Sequence, residues 1–199
     1  MNIICLDLEG VLVPEIWIAF SEATGIKELR LTTRDISDYD VLMKKRIKLL
    51  ALNNLKLKDI QNVISTMSPL EGALNFLETI REKTQVIILS DTFSEFAKPL
   101  MQKLRWPTLF CNNLIISDDG SVIDYTLRQE NGKYKAVKAL KSIGYGIIAS
   151  GDSYNDVTML KEADHGIFFR PPEGIVNEFP QFPVTNTYSE LLSEIEKVL

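Results

Sequence analysis

Ile3-Ile4-Cys5-Leu6-Asp7-Leu8-Glu9-Gly10-Val11-Leu12 decides the reading of this chain: a short apolar run stops at two carboxylates set two residues apart. Comparable runs recur at 85–89 and 146–150, each followed by polar residues and then by a helical pattern. Runs this compact are apolar on both alternations, as strands covered on both faces must be, and they predict a parallel sheet between helix layers. The expected class is α/β. Helical patterns follow at 71–82, 93–104, 134–142, 155–163 and 188–199, and Asp118-Asp119-Gly120 between two apolar stretches predicts a hairpin turn.

One stretch breaks the alternation. From 14 to 67 the chain shows helical periodicity and no strand, and Ser68-Pro69 punctuates the return to the βα pattern. The expected organisation is a core of residues 1–13 and 68–199 with a helical insertion at 14–67. Because the insertion leaves the carboxyl end of the first strand, where open α/β sheets bind ligands, it is placed to act as a lid.

Composition narrows the partners. The chain has 199 residues, 45% apolar and 25% charged, which is the balance of a globular protein. A chain of this length buries roughly 70% of its unfolded surface, so it needs no staple. Its 22 Lys and Arg against 27 Asp and Glu give a formal charge of -5, which offers no support for nucleic acid or an anionic membrane as partner. The first ten residues carry no basic leader, no apolar run approaches spanning length, and Cys5 and Cys111 read as buried small hydrophobes, so a cytoplasmic location is expected.

Four segments carry chemistry. Asp7 and Glu9, extended and two apart, point to one side at the strand's end, where paired carboxylates divide labour between nucleophile and acid/base. Gly151-Asp152-Ser153-Tyr154-Asn155-Asp156 again follows an apolar strand and opens a helix. Its aspartates are either plain caps or the hard oxygen ligands of an octahedral Mg²⁺ site. In Leu89-Ser90-Asp91-Thr92, a hydroxyl and backbone N–H groups before a helix are a cap or a phosphate cradle. Lys133 lies near a helix start, where a cation is disfavoured unless an anion is present.

All four fall on one edge of the predicted sheet, and their order resembles the haloacid dehalogenase superfamily of phosphotransferases: DxDxx[TV], then Ser or Thr, then Lys, then GDSxND. The insertion resembles that superfamily's C1-type cap, and the fold implied is a Rossmann-like parallel sheet. By this resemblance Asp7 is the nucleophile that forms an aspartyl-phosphate. Glu9 is the acid/base. Mg²⁺ is held by Asp7, the Glu9 main-chain carbonyl and Asp152, with Asp156 in support. Ser90, Asp91 and Lys133 bind phosphate, and Asn155 binds substrate. Lys135 is the rival to Lys133, which is preferred because Ala136, Val137 and Leu140 then follow at helical spacings.

The lid narrows the substrate. On a helix spanning 40–52, a 100° wheel sets Leu42, Leu49 and Leu50 on either side of Arg46, with Lys44, Lys45 and Lys48 on the other face. An inward Arg needs an anion, either a structural carboxylate or a ligand. With Glu15 as its acidic complement it would suit the carboxylate and ammonium of an α-amino acid. The phosphoserine phosphatase branch uses such a pair, and residues 42–50 resemble its cap helix, which implies O-phosphoserine as substrate. Glu9 departs from that branch, which carries a second Asp there. With residues 11–17 and 178–183, it makes the chain most similar to bacterial members that also move phosphate to homoserine. A phosphatase for another small phosphometabolite and a receiver-like module phosphorylated on Asp7 are the alternatives. His165, Trp17 and Trp106 are expected to be structural, the two tryptophans in the core.

Overall fold

The computed structural model describes residues 1–33, 35–36 and 38–199. Its sheet has the order β4-β3-β2-β1-β5-β6-β7. The strands are β1 (Asn2–Leu6), β2 (Gln85–Phe93), β3 (Thr108–Ile116), β4 (Val122–Thr126), β5 (Gly146–Gly151), β6 (His165–Phe169) and β7 (Val184–Thr185). All neighbours pair in parallel except β3 and β4, which form the antiparallel hairpin expected around Gly120. Mixed α/β architecture follows from the way β1 alternates. Ile4 and Leu6 join one buried apolar cluster, Ile3 and Cys5 the other, so helices cover both faces.

Between β1 and β2 come α1 (Ile16–Thr24), a 3-10 turn (Lys27–Arg30), α2 (Tyr39–Leu52), α3 (Leu57–Thr66) and α4 (Ala73–Arg81), with no strand among the described residues. Further on lie α5 (Ser94–Lys103), α6 (Gly132–Ser142), α7 (Val157–Glu162), α8 (Glu173–Glu178) and α9 (Tyr188–Glu196). The helices of 16–66 share a continuous core with the sheet: Phe20, Leu29, Met43, Leu50, Ile60 and Ile64 pack in the same cluster as Leu8 and Val11. Polar ties add direction. Lys103 Nζ donates to the Ser65 carbonyl at 2.9 Å, Gln61 Nε2 to the Glu95 carbonyl at 3.0 Å and Leu57 N–H to the Gly120 carbonyl at 3.0 Å.

β1 is central, and Leu6 stands opposite both Ile88 of β2 and Ser150 of β5. The chain then builds outward in two directions, through β2, β3 and β4 on one side and β5, β6 and β7 on the other. The crevice at this reversal, beyond the carboxyl ends of β1 and its neighbours, is where such sheets take ligands.

Two expectations about the core need correction. Trp106 is 58% exposed, because its backbone N–H turns back to the Met101 carbonyl at 2.8 Å in a left-handed conformation that closes α5 and turns the ring out. Leu104 and Pro107 fill the interior instead. Cys111 is only half-buried, while Cys5 is fully buried; both are free thiols, and burial pushes them up to about 11 and about 12, which leaves little thiolate at neutral pH. Among the described residues no helix is long and apolar enough to cross a membrane.

Candidate active site

The crevice opens into a cavity of about 540 Å³ lined from below by strand ends and from above by α1 and α2. Asp7 sits at its floor. Its backbone N–H donates to the Ser150 carbonyl at 2.9 Å, which extends the β1–β5 ladder by one residue and fixes where the carboxylate starts. Oδ1 accepts from Leu8 N–H at 2.7 Å and lies 2.9 Å from Lys133 Nζ. No hydrogen bond among the described residues falls on Oδ2.

Lys133 also stands 2.7 Å from Asp156 Oδ1, so one buried ammonium bridges two buried carboxylates. Lys135 is exposed, and the structure therefore brings Lys133 and not Lys135 to Asp7. The other oxygen of Asp156, Oδ2, accepts from the N–H groups of Asp152 and Ser153, both at 3.1 Å. Asp156 thus spends its acceptors on holding the turn. Burial works against a charged Lys133, but Asp156 and then Asp7 outweigh it and hold the ammonium well above its ordinary range. Asp7 is raised well above the usual carboxylate range, by burial first and by Asp156 next, with Lys133 opposing.

Two glycines allow this crowding. Gly10 is left-handed (φ +79°), and a Cβ there would lie 2.5 Å from Asp152 Oδ2; at Gly151 a Cβ would lie 2.3 Å from Asp156 Cγ. Any side chain at either position collides with a carboxylate. The result is a buried cluster in which Asp7, Asp152 and Asp156 present oxygens within 4.8 Å of one another. Hard oxygen donors at this spacing fit a divalent ion of the Mg²⁺ type.

Beside the cluster, Ser90 Oγ accepts from Thr92 N–H at 3.2 Å, and Asn155 Nδ2 donates to Asp91 Oδ2 at 3.0 Å. Ser90, Asp91 and Asn155 line the same cavity as Asp7 and Lys133. Glu9 lines it too, with Oε2 accepting from Ile16 N–H at 2.9 Å, so its carboxylate satisfies the first open donor of α1. Burial, then Glu15, pushes Glu9 up to about 8, against the pull of that N–H and of Arg46.

The upper wall holds Glu15, Trp17, Tyr39, Leu42 and Arg46. Arg46 is 7% exposed, and burial draws its guanidinium down to about 10 although Glu9, Tyr39 and Glu15 oppose. Lys44, Lys45 and Lys48 are exposed, as the wheel predicts. His165 opens β6 at the surface, and the structure does not bring it to the cavity. Sequence reasoning missed Tyr39, Thr92 and Trp17 as lining residues. Tyr39 was within reach, since Tyr39, Leu42 and Arg46 fall at i, i+3 and i+7 on one helical face; its hydroxyl donates to the Asp91 carbonyl at 3.0 Å and joins α2 to the end of β2.

A family model for haloacid dehalogenase-like hydrolases matches residues 1–164. The chain belongs to this family. Within it, the chain is 59% identical over 197 residues to a phosphoserine phosphatase of Pseudomonas syringae pv. tomato, covering 99% of this chain and 83% of the relative. It is 58% identical over 197 residues to phosphoserine phosphatase ThrH of Pseudomonas aeruginosa, covering 99% and 96%. The crystal structure of a phosphoserine phosphatase in apo form shares the fold, with a TM-score of 0.78 at 24% identity over 96% of this chain and 98% of that one. The haloacid dehalogenase assignment and the α/β expectation therefore stand together.

Proposed function

We propose that this haloacid dehalogenase-like hydrolase is a cytoplasmic, Mg²⁺-dependent phosphoserine phosphatase with a core of residues 1–13 and 68–199 and a helical cap of 14–67. The observation that carries the substrate is Arg46, a buried guanidinium whose Nε has no hydrogen-bond partner, sharing one cavity with Glu15 and with the Asp7–Lys133 pair. O-Phosphoserine has a group for each: carboxylate for Arg46, ammonium for Glu15, phosphate for Lys133, Ser90 and the Asp91 N–H. The two relatives of 58% and 59% identity carry that activity in their names.

In this reading Asp7 attacks phosphorus through Oδ2, and the bond to the seryl oxygen breaks as that oxygen takes the proton of Glu9. Water then attacks the aspartyl-phosphate, returns a proton to Glu9, and releases phosphate with Asp7 restored. Asp7, the Glu9 carbonyl and Asp152 would hold Mg²⁺, which would neutralise charge on the phosphoryl group. Lys133 supplies the fixed positive charge on the protein side, and Asn155 orients substrate beside Asp91. L-Homoserine is a second acceptor in this proposal: an alcohol gripped by Glu15 and Arg46 is oriented before attack, which lets it compete with water.

A phosphate-release panel of O-phosphoserine, sugar phosphates and an aryl phosphate, with and without Mg²⁺ and homoserine, tests the proposal. O-Phosphoserine as preferred substrate with Mg²⁺, and phosphohomoserine when homoserine is present, is the expected outcome. A preference for sugar phosphates assigns the cavity to another phosphometabolite, a persistent aspartyl-phosphate without release favours the receiver reading, and no phosphohomoserine at any acceptor concentration removes the transfer.

A further inference from the structure

Arg46 is an unusual buried cation. Its Nη2 donates to the Leu31 carbonyl at 2.8 Å, Nη1 meets only the Met43 thioether at 3.7 Å, and Nε meets nothing. Among the described residues no carboxylate lies within ion-pair distance of it. Of five donors, one has a strong acceptor. What it does have is an aromatic face: the guanidinium carbon stands 4.5 Å from the centroid of the Trp17 ring.

That ring is itself immobilised. Trp17 is 7% exposed and packs edge-on against Phe96 at 5.6 Å and Phe20 at 6.2 Å, one from the core helix α5 and one from its own helix. A guanidinium stacked on a clamped indole keeps its plane while its N–H edge stays open, which a flexible Arg in solvent cannot do without loss of side-chain freedom. Glu15, two residues before Trp17, lines the same cavity.

We propose that Trp17 is a positioning residue for carboxylate recognition: its indole face fixes the Arg46 guanidinium at the cavity wall, ready for the α-carboxylate of the substrate. This rests on the phosphoserine reading above, and it assigns a role to a residue whose burial alone looks like ordinary core.

The test uses Trp17→Phe and Trp17→Leu, each in the native and the Arg46→Ala background, with O-phosphoserine and an aryl phosphate lacking a carboxylate. Trp17→Leu is expected to raise KM for O-phosphoserine about 3- to 30-fold, the range of a desolvated cation–π contact, with kcat changed much less. The aryl phosphate should lose several-fold less, Trp17→Phe should fall between, and in the Arg46→Ala background Trp17→Leu should add nothing. Equal losses on both substrates, an unchanged KM, or a further loss without Arg46 would each make Trp17 plain packing and overturn the proposal. If Trp17→Leu does not fold, Trp17→Phe decides by the same KM contrast. Native enzyme that turns over the aryl phosphate but not O-phosphoserine breaks the substrate reading instead, so the two failures are distinct.

Discussion

The two walls of the cavity are built on opposite terms. Below, at the strand ends, Asp7, Lys133 and Asp156 are paired at 2.7–2.9 Å, and Asp156 is fully enclosed by donors. Above, Arg46 has one strong acceptor and an orphan Nε, and it lies over an aromatic ring instead of against a carboxylate. The lower wall is held by its own ion pairs, whereas the upper wall leaves donors open. In the proposed reading, chemistry common to any phosphate ester belongs with the paired wall, and choice among esters belongs with the open one.

That contrast can be broken from either side. The largest effect is expected from Asp7→Asn, which keeps the shape but removes the anionic nucleophile: activity should fall by at least about a thousandfold on every substrate, with an unchanged circular dichroism spectrum. Turnover by the folded variant within about tenfold of the native enzyme would take Asp7 out of the mechanism. Lys133→Met leaves Asp7 and Asp156 facing each other without a cation. Breaking a buried pair costs about 3–5 kcal/mol, visible in urea unfolding, and Mg²⁺ should recover part of it; an unchanged midpoint would mean the lower wall is not held by charge.

Arg46→Ala should lower kcat/KM for O-phosphoserine about 10- to 150-fold, as loss of a charge-assisted hydrogen bond does, with a much smaller change on an aryl phosphate. Equal losses would turn the upper wall into structure. The smallest effect is reserved for a group in neither wall. Asp164 is held below the usual carboxylate range by the Ile147 N–H at 2.7 Å and then by Lys141 at 2.9 Å. Its lowered pKa stabilises the fold above the ordinary value near 4, and that contribution fades as pH falls through the lowered value. For a group this exposed, Asp164→Asn should cost under about 1 kcal/mol at neutral pH and progressively less as pH falls below the ordinary carboxylate range, checked by thermal unfolding across pH.

The lower wall was readable because its residues follow strands at fixed offsets: once the runs at 3–8, 85–89 and 146–150 are strands, Asp7, Ser90 and Asp152 must share an edge. Arg46 was readable from one helical wheel. What was hidden depends on contacts between distant segments. Nothing local says that Trp106 closes a helix and faces water, or that Trp17 meets a guanidinium 29 residues on. Nor does the sequence show that the Glu9 carboxylate caps α1, an interaction that links the end of β1 to the helices above it.

The collision that any side chain at Gly10 or Gly151 would cause has a consequence for how such a protein can change. Substitution at either position is penalised, since any Cβ there pushes into Asp152 or Asp156. The residues above them stand on α2 and at the start of α1, and Glu15, Trp17, Tyr39 and Arg46 are not among the atoms crowding either glycine. If the proposed roles hold, innovation is channelled: a library that varies these four positions searches substrates, and one that varies the glycines disturbs the carboxylates beneath them.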